Sequence, residues 1–403
     1  MPDTGSAGET GGTIRIRVRM TARPIDEPHR VASQLELLFD LTFVVAVAAA
    51  TSQLAHSIAS GHALDGLIPF LQVFFAIWWA WMNFTWFASS YDTDDVAYRL
   101  LTMLQMAGVL VLAAGVPVAA DHGDYRAVTL GYLIMRIGLV TQWLRAGIED
   151  PGSRRTALRY AVGITVAQVG WVLRLFLPDT FGLAAFVLLV AFELAIPRWA
   201  ERTRATNWHP HHIAERYGLF TIILLGESVL ATSTAVQQVV RSAHIGAELI
   251  TVAVCGLLLL FALWWLYFLH PAGPALADHR HRSYRWGYGH YAVFGALAAL
   301  GAGLEVAVEQ TGHHVRASPT AVGYAVAIPI AVFLLSLWTV HTSIAADTLG
   351  PGAMIGCTGL ILLLPLISAR TSPVLSIAAI TVVCVLLAVV TTAAQRRTDA
   401  PDR

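Results

Sequence analysis

The sequence predicts an all-α fold: a polytopic membrane helix bundle of about twelve transmembrane helices, with no soluble domain of any size. Three observations carry this reading. Of 403 residues, 56% are hydrophobic and only 13% charged, with a mean hydropathy of +0.62, whereas a soluble domain carries about 25% charged residues. Apolar runs of the roughly 20 residues that cross a bilayer recur along the whole chain. The arginines alternate in density from one link between runs to the next.

Taken in order, residues 1–30 are polar, first glycine-rich and then arginine-rich, with no apolar core for a cleavable signal peptide. They are expected to form a disordered cytoplasmic tail. Spans are placed near 34–56, 66–88, 97–120, 125–146, 156–176 and 179–198, the last two divided at Pro178. Six more follow near 214–236, 248–270, 287–309, 319–341, 351–369 and 373–394. The links are short and hold turn formers such as Asp121-His122-Gly123-Asp124 and Gly350-Pro351-Gly352. Residues 396–403 form a second cytoplasmic tail.

Orientation follows from the basic residues. All 26 are arginine. With the N-terminus inside, 20 arginines fall on cytoplasmic segments, five on external ones, and Arg136 within a span. The positive-inside rule then places both termini in the cytoplasm of a multi-pass cell-membrane protein.

An internal repeat is expected. Phe75-Ala76-Ile77-Trp78-Trp79-Ala80-Trp81 matches Phe261-Ala262-Leu263-Trp264-Trp265-Leu266-Tyr267 at an offset of 186. Leu38-Phe39 aligns with Leu219-Phe220 at 181, and Gly115 with Gly303 at 188. Similar offsets in chain order predict two similar six-helix halves, 31–205 and 206–395, in parallel orientation. Recurrence of tryptophan pairs in interfacial belts would give some of the same matches.

Several function classes are disfavoured. The absence of lysine excludes a Schiff-base lysine and a phosphate-loop lysine. Cys255, Cys357 and Cys384 are odd in number and widely spaced, which gives neither a disulfide framework nor a zinc site. There is no serine nucleophile elbow, helical H-E-x-x-H or glycine-rich phosphate loop. No enzyme activity, cofactor or metal is therefore expected. Histidines gather at His209, His211 and His212, at His279 and His281, and at His313 and His314, positions read as headgroup-level loops. A formal net charge of zero argues against a nucleic-acid partner. The expected partners are the lipid bilayer and a small solute or ion, and a homo-oligomer is compatible with the sequence.

What stands out is charge within the spans, which costs on the order of 2.5–3.5 kcal/mol per residue at a span centre. Glu36 and Asp40 lie one turn apart on one face of the first span. Arg136 is central to the fourth, Glu193 lies in the sixth, Glu227 in the seventh and Glu305 in the ninth. Arg216 and Glu227, eleven residues apart, share one stripe and are about 16 Å apart along the axis. Arg136 cannot lose its proton and needs an acidic partner, for which Glu227 or Asp40 is expected. These charges read either as an ion-pair network fixing helix register or as an ion or proton pathway.

Two stretches resemble a known family. Leu35-Glu36-Leu37-Leu38-Phe39-Asp40-Leu41-Thr42-Phe43-Val44 is similar to the E-L-F-F-D-L-V-F-V opening of the bacterial low temperature requirement A family. His212-Ile213-Ala214-Glu215-Arg216-Tyr217-Gly218-Leu219-Phe220-Thr221-Ile222-Ile223-Leu224-Leu225-Gly226-Glu227-Ser228 resembles its H-x-x-E-R-x-G-L-F-T-I-I-x-L-G-E signature. The resemblance implies a multi-spanning bacterial inner-membrane protein and places the family's charged positions on Glu36, Asp40, Glu215, Arg216 and Glu227. Leu269 stands where members often carry an acid after the W-W-x-Y-F run. The resemblance names no substrate. Phe39-Asp40-Leu41-Thr42-Phe43 is also similar to the opening of the transmembrane-175-type potassium channels.

The intramembrane charges favour a secondary, proton-coupled transporter, with Glu36, Asp40, Arg136 and Glu227 lining one central polar path and protonation of Glu227 as the coupling event. The alternatives are an ion channel lined by the first and seventh spans, and a lipid-handling protein or enzyme.

Overall fold

The computed structural model describes residues 15–25, 27–28, 30–241, 246–312, 315–344, 350–369 and 372–398. Its helices are α1 (Gln34–Ala59), α2 (Ala63–Tyr91), α3 (Val96–His122), α4 (Arg126–Glu149), α5 (Arg154–Arg174), α6 (Asp179–Ala200) and α7 (Pro210–Arg241). They continue with α8 (Ala247–Phe268), the short α9 (Ala272–Asp278), α10 (Ser283–Gly312), α11 (Pro319–His341), α12 (Pro351–Leu363) and α13 (Pro373–Thr398). Among the described residues, eleven helical stretches are long and apolar enough to span a membrane. The eleventh expected span, 351–369, is the exception: it is α12, only 13 residues long, continued by a 3₁₀ segment over Leu364–Ala369. Pro365 falls at that change, where it cannot donate an α-helical hydrogen bond.

The helices pack as a membrane bundle does. Apolar side chains such as Leu183, Val187, Leu188 and Phe192 of α6 point outward, into what would be hydrocarbon. Close crossings are made by glycine. A Cβ on Gly131 of α4 would come within 2.3 Å of Leu112 N on α3, and one on Gly303 of α10 within 2.2 Å of Ala325 O on α11. Gly115 likewise meets Ala127 of α4. Helix α1 packs against α2, α3, α7 and α10, and so occupies the middle of the bundle.

Two ends can be told apart. At the near end, where α1 begins, lie the end of α2, the start of α3, the end of α4 and the α6–α7 link. A non-helical N-terminal segment ties them together. Val18 N donates to Asp95 Oδ2 at 2.8 Å, Met20 N to Glu149 Oε2 at 2.6 Å, and Arg23 N to Ser90 O at 2.9 Å. Asn207 reaches back to Arg23 O at 3.1 Å. The disorder expected for residues 1–30 does not describe this stretch: polar partners on four elements hold it, and Met20 is fully buried. Residues 1–14 and 399–403, with His313 and His314, lie outside the described residues.

Two aspartates at this end show opposite electrostatics. Burial works against the ionised form of Asp95, but hydrogen bonds from Arg145 and from the N–H groups of Val18 and Tyr98 bring its carboxyl down to about 2. Burial, and then the charge of Glu36, push Asp92 up to about 6 despite Arg30 and Arg23 nearby.

Candidate functional site

The charged residues singled out from the sequence fall into three separate groups rather than one central path. The first joins α1 and α7. Ser33 caps α1 and forms a reciprocal capping box with Glu36, whose Oε2 accepts from Ser33 N at 2.7 Å. Glu36 Oε1 then faces Arg216 Nη1 at 2.9 Å and His212 Nε2 at 3.0 Å. One turn on, Asp40 accepts from Arg216 Nη2 at 2.5 Å and Nε at 3.0 Å, and from Trp81 Nε1 at 2.7 Å. Every guanidinium nitrogen of Arg216 thus has a carboxylate oxygen within 3.0 Å. Glu36, Asp40, His212 and Arg216 are all buried. Glu215 stands beside the group, its Oε2 accepting from Ala32 N at 3.1 Å.

The second group lies deeper and corrects an expectation. The partner of Arg136 is Glu193 of α6, at 3.2 Å, and neither Glu227 nor Asp40. The antiparallel run of α4, α5 and α6 brings these two side chains to one level; Asp40 is already committed to Arg216. Glu193 Oε1 accepts from Tyr132 at 3.2 Å, Trp171 at 3.1 Å and Arg136, and its Oε2 accepts from Trp79 at 2.7 Å. Arg136 also donates to the Tyr132 hydroxyl. The carboxylate is thus well solvated by donors, but the guanidinium is not. Arg136 Nε and Nη1 are buried and have no hydrogen-bond partner among the described residues, and neither has the side-chain amide of the buried Gln168 on α5.

The third group is Glu227 of α7 and Glu305 of α10, close enough for their charges to interact. Glu227 is 6% exposed, and its Oε2 has no hydrogen-bond partner among the described residues. No arginine or histidine nitrogen comes within 4 Å of either carboxylate among the described residues.

The second group separates two cavities that sequence reading missed. The near-end cavity, about 30 Å³, is lined by Asn83 and Trp86 of α2, Trp143 of α4, Tyr160 of α5, Glu201, Thr206 and Trp208 of the α6–α7 link, and Tyr284 and Tyr288 of α10. The far-end cavity, also about 30 Å³, is lined by Gln72 and Phe75 of α2, Thr129 and Tyr132 of α4, Trp171 and Arg174 of α5, and Phe186 of α6. Each has room for about two waters. Along each of α2, α4, α5 and α6, the residues of the central network lie between those of the two cavities: Trp79, Arg136, Gln168 and Glu193. The one signal in the sequence was the density of tryptophan and tyrosine on these helices.

Residues 31–390 match the family described as bacterial low temperature requirement A protein (LtrA). The chain is also similar to a protein of Rhizobium meliloti (strain 1021), described as uncharacterized protein RA0937. The two are 26% identical over 286 residues, which is 66% of this chain and 67% of that one. With nearly all of its spans inside the match, and both charged motifs of the α1–α7 group with them, the chain belongs to the bacterial low temperature requirement A protein family.

Proposed function

We propose that this protein is a secondary transporter whose substrate route follows the seam between α2, α4, α5 and α6, and that it is not an enzyme. The observation that supports this reading is the pair of cavities at opposite ends of that seam, parted by the Arg136–Glu193 network. A carrier needs a site reached from either side in turn and a barrier that is polar enough to hold substrate. Two unpartnered guanidinium nitrogens and an unpartnered amide provide such a barrier.

Coupling to protons is assigned to Glu227. It is a buried acid with another acid as its charged neighbour, so an ionised form there lacks the compensation that Asp40 has. The halves 31–205 and 206–395 would rock about the near-end cavity, which borders both. The matching glycine crossings of α3 on α4 and of α10 on α11 favour such a duplication.

The test is purified protein in proteoliposomes carrying a pH dye, with potassium, sodium and proton gradients imposed in turn. Proton movement that depends on a second solute and saturates with it supports the carrier. Flux of one ion that follows voltage without saturating means a channel, and the carrier scheme then falls.

A further inference from the structure

Glu201 follows the last residue of α6 and is partly exposed at the near-end cavity. Its carboxylate is surrounded by neutral donors. Oε1 accepts from Tyr160 at 3.1 Å and from Thr206 Oγ1 at 2.5 Å, and Oε2 from Tyr284 at 2.6 Å. Arg202 and Arg204 are close in the sequence and Arg280 in the fold, yet none places a nitrogen within 4 Å of it among the described residues. Arg204 is held by Gly152 O at 2.8 Å, and Arg280 by Trp208 O at 3.0 Å, stacked over the indole. The negative charge is thus oriented and hydrogen-bonded, and the one cation whose charge reaches it, Arg280, makes no direct ion pair with it among the described residues.

Around it stand six aromatic rings: Trp86, Trp143, Tyr160, Trp208, Tyr284 and Tyr288. Aromatic walls attract a cation through the ring quadrupole. A carboxylate has about four lone-pair sites, and Oε2 uses one of its own for Tyr284. The site left open, with the acceptor lone pairs of the two tyrosine hydroxyls, matches the N–H groups of an ammonium. Room for about two waters matches one carbon and one nitrogen, not a bulky quaternary head.

We propose that the near-end cavity binds a small alkylammonium cation, with Glu201 as its counter-ion and the aromatic rings as its walls. This deepens the transporter reading by naming a substrate class and rests on it for that role, though not for the binding itself.

The experiment is equilibrium binding of ¹⁴C-methylammonium to the purified full-length protein in detergent. Saturable binding is expected, displaced by unlabelled methylammonium but not by methanol, its neutral counterpart of the same size. Glu201→Gln should weaken binding at least about tenfold, whereas Asp94→Asn, an exposed acid at the same end outside the cavity, should leave it unchanged. Displacement by methanol, absence of saturable binding, or full binding by a folded Glu201→Gln would each overturn the proposal. The methanol comparison needs no variant, so it decides even where Glu201→Gln fails to fold. Because no gradient is present, binding without coupled flux in vesicles would remove the transporter reading and leave this site standing. Coupled flux of another solute without methylammonium binding would do the reverse.

Discussion

Arg216 and Arg136 are both buried in the bundle, yet they are held in opposite ways. Arg216 is balanced in charge: two carboxylates one turn apart on α1 lie within 3.0 Å of all three of its nitrogens, Nε and Nη2 as hydrogen bonds to Asp40 and Nη1 as an ion pair with Glu36 that lacks hydrogen-bond geometry. Arg136 meets one carboxylate through one nitrogen, and that carboxylate also serves two tryptophans and a tyrosine. The first arrangement has little capacity left for a ligand and fixes α1 against α7. The second leaves donors unmatched between two cavities, which is the feature on which the proposed carrier rests. Burial of charge therefore does not by itself mark function; the balance of donors and acceptors around the charge does.

The largest expected effect comes from breaking the balanced group. Arg216→Met would leave Glu36 and Asp40 buried without their shared cation, a loss of about 3–5 kcal/mol for one broken buried pair. The expected outcome is failure to recover monodisperse protein on size exclusion. A variant that purifies and melts like the parent would show that the α1–α7 group is not the lock described.

Arg136 sharpens the contrast. Removing both partners of a buried pair together is far less costly than removing one. The double variant Arg136→Leu with Glu193→Leu should melt within a few degrees of the parent, yet lose solute-dependent flux by about an order of magnitude or more. Retained flux would reduce this network to packing.

Glu227→Gln is isosteric and removes only the titrating group. Folding should be unaffected and proton-coupled flux lost, while solute exchange without a gradient persists. Undiminished proton coupling in that variant would end the role assigned to Glu227.

The smallest effect belongs to Asp92. Its folded carboxyl holds a proton up to about 6, against an ordinary 3.8. Between those values the unfolded chain has released a proton that the folded chain keeps, so stability falls as pH rises through the window. Asp92→Asn should therefore raise the melting temperature by a few degrees at pH 8, with the gain vanishing near pH 4. An equal shift at both values would mean that the effect is not protonation.

The sequence made some of this legible. Runs of apolar residues located the spans to within a few residues, because a span is a local property of about 20 positions. Glu36 and Asp40 could be put on one face for the same reason. That Arg136 needs an acid was also legible, but which acid was not. The choice between Glu193 and Glu227 depends on how α4, α5 and α6 stack, which no spacing encodes. Asp40 and Arg216 were both singled out, yet their pairing joins residues 176 positions apart. Glu201 went unnoticed because it sits past a helix end, where an acid looks like ordinary solvated surface. Its setting comes from tyrosines on α5 and α10, more than 120 residues apart. Helix α12 reads as a full span by composition, and it is shorter because Pro365 cannot continue the α-helical hydrogen bonding.

The N-terminal segment bears on how the chain is made. Its residues from Val18 to Arg23 leave the ribosome before any span, but their partners are Ser90, Asp95, Glu149 and Asn207. Ser90 and Asp95 follow only once the second span is made, Glu149 ends the fourth, and Asn207 comes after the sixth. This early segment is therefore anchored in stages as the bundle is made, and its set of partners closes only with the link that follows the sixth span.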